Sequence, residues 1–103
     1  MVDFDFFTNQ AEMLNLNCFP TGDCFYIGRI KPETEMLRYN FYDKSVTVWP
    51  RVYYSDLAKE IRTESENINV STNEGLEELC GIIQMNLKNV KMKHRLSKMK
   101  EDF

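Results

Sequence analysis

Residues 35–53 read EMLRYNFYDKSVTVWPRVY, and the reading of this stretch decides the fold. Apolar and polar side chains alternate on both sides of Asp43 and Lys44, and β-branched and aromatic residues of the kind that suit pleated backbone dominate. The pattern predicts two antiparallel strands, about 35–42 and 45–53, joined by a two-residue Asp-Lys turn. In that register Tyr42 faces Ser45, Phe41 faces Val46, Tyr39 faces Val48 and Arg38 faces Trp49. Leu37, Tyr39, Phe41, Val46 and Val48 then share one face, an apolar one suited to a core. Arg38, Asn40, Thr47, Trp49 and Arg51 share the other. Pro50 has no N–H for a ladder, so the last strand is expected to lie at an edge or to break there.

Outward from the hairpin, residues 24–30 make a third strand, reached through a turn at Lys31, Pro32, Glu33 and Thr34, with Gly28 marking a bulge or a close strand approach. Val2, Phe4 and Phe6 alternate with Asp3 and Asp5 and suggest a short edge strand. Asn9 followed by Glu12 resembles a capping box for a short helix ending near Leu16, before the turn formers Pro20, Thr21, Gly22 and Asp23. Ser55 suits the N-cap of a helix over about 56–64, and 64–69 reads as a loop. Ser71 with Glu74 is a second capping box, opening a long helix to about Ser97. The expected fold is α+β: a small antiparallel three-stranded meander, about 24–53, packed by a short helix and a long C-terminal helix. At 103 residues the chain fits one compact domain, 1–103, with room for its last turns, about 91–103, to project.

The long helix carries two apolar stripes. Leu76, Leu79, Cys80, Ile83, Leu87 and Val90 fall on one side, and Ile82, Met85, Met92, Leu96 and Met99 on the other. Docking on its own body requires one stripe, so the second points to a partner. It follows a heptad, with Ile82, Asn89 and Leu96 at a positions and Met85, Met92 and Met99 at d positions. The e and g positions hold Lys88, Lys93, Arg95 and Lys100, so a parallel homodimer would oppose like charges. An antiparallel homodimer or a protein partner with an acidic surface fits better.

Charge is divided just as sharply. Residues 1–80 carry a net of −7 and residues 81–100 a net of +6. Lys88, Lys91, Arg95 and Lys98 form a basic ridge that could instead neutralise the phosphates of a nucleic acid. On the hairpin, Arg38, Trp49 and Arg51 are residue types enriched at binding hot spots. Enzymatic chemistry has little to stand on. His94 is the only histidine, five residues separate Cys18 from Cys24 in neither a redox nor a zinc spacing, and the four glycines make no phosphate loop. No metal or cofactor is expected, and Cys80 reads as a small core residue. The N-terminus lacks the basic and apolar regions of a signal peptide, and no apolar run is long enough to span a bilayer, so a cytoplasmic location is expected. The expected function is that of a non-catalytic protein-binding module that regulates or inhibits another macromolecule, as a phage-type inhibitor of a host enzyme does. Its contacts would be Met85, Asn89, Met92, Leu96, Met99, Arg38, Trp49 and Arg51. The alternative is nucleic-acid binding through the basic ridge.

Overall fold

A computed structural model describes residues 1–21, 25–31 and 34–101, with side chains described outside 21–34 and 97–103. The chain is an α+β fold, its described residues forming two helices and two antiparallel sheets. Helix α1 (Phe4–Met13) leads into β1 (Asn17–Thr21), β2 (Phe25–Lys31), β3 (Thr34–Asn40) and β4 (Ser45–Val48). A separate hairpin of β5 (Val52–Ser55) and β6 (Glu60–Thr63) follows, then β7 (Ile68–Val70) and the long helix α2 (Asn73–Glu101). The main sheet has the order β1-β2-β3-β4-β7. The meander of β2, β3 and β4 stands at its centre, and β1 and β7, where the pattern predicts turn and loop, extend it on either side.

The central hairpin keeps its expected faces in a corrected register. Asn40 faces Ser45, Tyr39 faces Val46, Arg38 faces Thr47 and Leu37 faces Val48, a slip of two residues from the two-residue-turn reading. A slip of two restores the same face to every side chain that stays in the ladder, whereas a slip of one would invert them. The cause is the turn, a four-residue loop of Phe41, Tyr42, Asp43 and Lys44. A tight hairpin turn of type I′ needs positive φ at both central residues, and of this dipeptide only Lys44 adopts it, at 54°. The Asp43 carboxylate instead accepts from the Ser45 N–H at 3.0 Å and the Ser45 hydroxyl at 2.6 Å. Those hydrogen bonds hold the Asp43 carboxyl below its ordinary pKa. Phe41 therefore leaves the ladder and is largely exposed, its ring against Phe4 and Tyr39. Beyond Val48 the strand breaks before Pro50, one of the two outcomes its missing N–H allows.

Two further expectations are corrected. Residues 2–6 form no edge strand, because Phe4, Phe7, Ala11 and Leu14 recur at helical spacing and that period wins. Phe7, Ala11 and Leu14 are buried and the helix starts at Asp3 rather than Asn9. It ends in a Schellman motif: Asn15 takes the left-handed conformation at φ 59°, the Leu16 N–H donates to the Ala11 carbonyl and the Asn15 N–H to the Glu12 carbonyl. Residues 56–64 are no helix. Ser55 Oγ does accept from the Ala58 N–H at 3.2 Å, as an N-cap would, but Lys59 then turns to φ 56° and the chain returns as β6. At the start of α2 the cap is displaced by one residue, with Thr72 Oγ1 accepting from the Gly75 N–H at 3.0 Å. A Cβ at Gly75 would sit 3.0 Å from that same oxygen.

One core joins these elements. Leu37, Tyr39, Val46 and Val48 from the sheet meet Phe7, Ala11 and Leu14 of α1 and Leu76, Cys80 and Ile83 of α2. Met36 is the extra residue where the β2–β3 register shifts between Gly28 and Arg29, and it is buried beside Leu37. Tyr39 donates its hydroxyl to the Val2 carbonyl at 2.7 Å. The Asp3 N–H donates to Asn73 Oδ1 at 3.0 Å while Asn73 Nδ2 donates to Asp3 Oδ2 at 3.2 Å, tying the two helix N-termini together.

Two measurements check this architecture. Lys59→Gly should raise the urea midpoint, because glycine relieves about 1 kcal/mol of left-handed strain in a turn. In a helix interior the same change would lower stability by about 1 kcal/mol. Tyr39→Phe should cost about 1–2 kcal/mol in urea unfolding by leaving the buried Val2 carbonyl without its donor.

Candidate functional site

Helix α2 divides its faces as its two stripes suggest. Leu76, Cys80 and Ile83 are buried, and Leu79, Leu87 and Val90 are half-buried. On the opposite side Ile82 is 42 %, Met85 62 %, Met92 51 % and Leu96 54 % exposed, with Asn89 exposed among them. Met99 and Lys98 lie in α2, but their side chains fall outside the described ones. Contact with the body does not end at Val90. The His94 ring stacks on Tyr54 of β5, centroids 4.0 Å apart and 24° from parallel, so the β5–β6 hairpin escorts the helix one turn further than apolar spacing indicated. Asn86 Nδ2 adds a bond to the Pro50 carbonyl at 2.8 Å.

Lys88, Lys91 and Arg95 are exposed and occupy the flank of α2 between the buried stripe and the methionines. Among the described residues no carboxylate lies within ion-pair distance of any of them. This flank faces the C-terminal end of α1. Between the two helices runs an open groove of about 590 Å³, with Met13 of α1 on one wall and Gly81, Gln84, Met85, Lys88 and Lys91 of α2 on the other. Spacing on α2 places the lysines beside Met85, but only the tertiary fold places Met13 opposite them.

The hairpin residues lie elsewhere. Arg38 is on the sheet face turned away from the core, its guanidinium carbon 5.5 Å from the centre of the Trp49 ring. It also grips Glu35 through two hydrogen bonds of 2.6 and 2.9 Å, which raise the Arg38 pKa above its usual value. Arg51 is more loosely placed, 3.4 Å from Glu66 with both side chains exposed. The sheet thus separates Arg38 and Trp49 from the exposed stripe of α2, and the two patches form no continuous surface. Arg38 is engaged within its own chain, whereas Lys88, Lys91 and Arg95 have no ion-pair partner among the described residues.

Neither described cysteine suits nucleophilic work. Burial pushes the Cys80 thiol up to about 12 and raises that of half-buried Cys18, so both hold their protons at neutral pH. Cys24 lies outside the described residues. The His94 ring lies against the face of the Tyr54 ring. Among the described residues no three His, Cys, Asp or Glu side chains converge as a metal site would require, and no helix is long and apolar enough to cross a membrane. No family model, curated protein or solved structure matches the chain.

In a variant with Cys18 and Cys24 changed to serine, Cys80 should resist a thiol reagent at pH 8 in the native state and react at once in urea. Rapid labelling of the native protein would contradict the buried, protonated thiol.

Proposed function

We propose that this chain is a non-catalytic binding protein, working in the cytoplasm, that regulates or inhibits another macromolecule through the outer face of α2. The carrying observation is that Ile82, Met85, Met92 and Leu96 stay exposed on a helix whose opposite side already holds the core. Methionines at such a surface adapt to the shape of a partner, and the neighbouring cations favour an acidic one. The Arg38 and Trp49 patch is a second, separate contact at most, since its guanidinium is already held by Glu35.

Replacing Met92 and Leu96 together with glutamate should leave folding intact, because both side chains are exposed, and should abolish association with the native partner. Light scattering of the purified protein and a pull-down from the native extract read the two consequences. Unchanged association with an unchanged fold would refute the reading. Nuclease-sensitive retention that weakens steeply with salt would instead identify the basic ridge as a phosphate-binding surface.

A further inference from the structure

We infer that the groove between the end of α1 and the middle of α2 is the seat of the partner, and that its occupant is an amphipathic helical segment with an acidic rim. This inference rests on the proposed binding role of α2 and specifies where on it the partner sits and what chemistry it brings. Three observations converge. The walls are apolar at Met13, 46 % exposed, and at Met85, which gives a docked segment apolar surface to cover. Lys88 and Lys91 line the same wall, without an acidic partner among the described residues. Among the described residues no carboxylate lines the groove.

Gly81 supplies the third observation. It sits mid-helix, where glycine is less favourable than any residue but proline, and the chain itself does not require it. A Cβ built there meets nothing within 4 Å, and no left-handed φ demands it. Gly75 differs, since a Cβ there would press on the capping hydroxyl of Thr72. The missing side chain at Gly81 instead keeps the groove floor open, so that another backbone or a large apolar side chain can approach α2 closely. An open groove with one cationic wall suits the face of a helix. A fatty acyl chain would need enclosure on more sides. A second copy of α2 would bring Lys88, Lys91 and Arg95 alongside its own methionines and oppose like charges at the groove.

The test uses the full chain and two synthetic helical peptides with the same leucine stripe, one rimmed by glutamates and one by lysines, titrated calorimetrically at low salt. The glutamate peptide should bind saturably and the lysine peptide should not. Lys88→Glu with Lys91→Glu should weaken the glutamate peptide at least tenfold and admit the lysine peptide. Gly81→Leu should raise Tm, since leucine is the better helix former and meets open space, while weakening the glutamate peptide at least tenfold. Failure of the glutamate peptide, equal binding of both peptides, or undiminished binding to Gly81→Leu would overturn the inference. So would displacement of the peptide by dodecanoate, or a concentration-dependent dimer that Gly81→Leu dissolves, each naming another occupant. If these fail while the Met92 and Leu96 substitutions still abolish association with the native partner, the groove assignment falls and the binding role of α2 stands.

Discussion

The buried hydrogen bond from the Tyr39 hydroxyl to the Val2 carbonyl is the constraint on which the arrangement of this fold depends. Burial and the nearby Asp3 and Asp43 charges raise the Tyr39 pKa, so the phenol keeps the proton it donates. The bond holds the chain's first residues against β3, reinforced by the Val2 N–H donating to the Lys44 carbonyl at 2.8 Å. Phe4 and Phe7 then close on the Tyr39 ring, with centroids 5.4 and 5.3 Å away, the first edge-on at 65° and the second tilted at 44°. With α1 fixed on the sheet, the Asp3–Asn73 pair aligns the start of α2 beside it. The groove follows from those two placements.

A second constraint is length. The 29 residues of α2 extend about 43 Å at 1.5 Å per residue, while the shorter dimensions of the molecule are 26 and 22 Å. The main sheet is too small to follow such a helix along its length, and the β5–β6 hairpin meets it at His94 through Tyr54. Nor can α1 wrap around to the methionine stripe, because its own apolar face is committed to Tyr39 and the core. The exposed stripe lies on the side of α2 opposite the core, where neither the sheet nor α1 reaches it, and Lys88 and Lys91 along its flank, without an ion-pair partner among the described residues, give that surface a preferred charge.

Much of this was legible in the residues. Alternation in 35–53 revealed the hairpin and its core face, since parity survives a slip of two, and helical spacing identified the buried stripe of α2. The register itself was hidden because it rests on how Asp43 bonds to Ser45, which a dipeptide preference does not report. Alternating Asp and Phe at 2–6 mimics a strand, but Phe7, Ala11 and Leu14 make one buried helical face and that period prevails. At 55–64 the capping potential of Ser55 competes with a strand signal: Val52, Tyr53 and Tyr54 on one side of the turn at 56–59, and Ile61 and Thr63 on the other, are strand formers. For the candidate site, the methionine stripe and basic ridge could be read from α2 alone. Met13 facing Gly81 could not, because 67 residues separate them in the chain and only the packing of α1 joins them.

The central claim, that the outer face of α2 is a covered surface in the working protein, is tested most directly by methionine oxidation footprinting. The buried Met36 serves as an internal reference. In the isolated protein Met85 and Met92 should oxidise readily while Met36 does not. In the native extract Met85 and Met92 should become as protected as Met36, with oxidation restored by the partner-disrupting Leu96→Glu change. Equal oxidation of Met85 and Met92 in the isolated protein and in the extract would contradict the account.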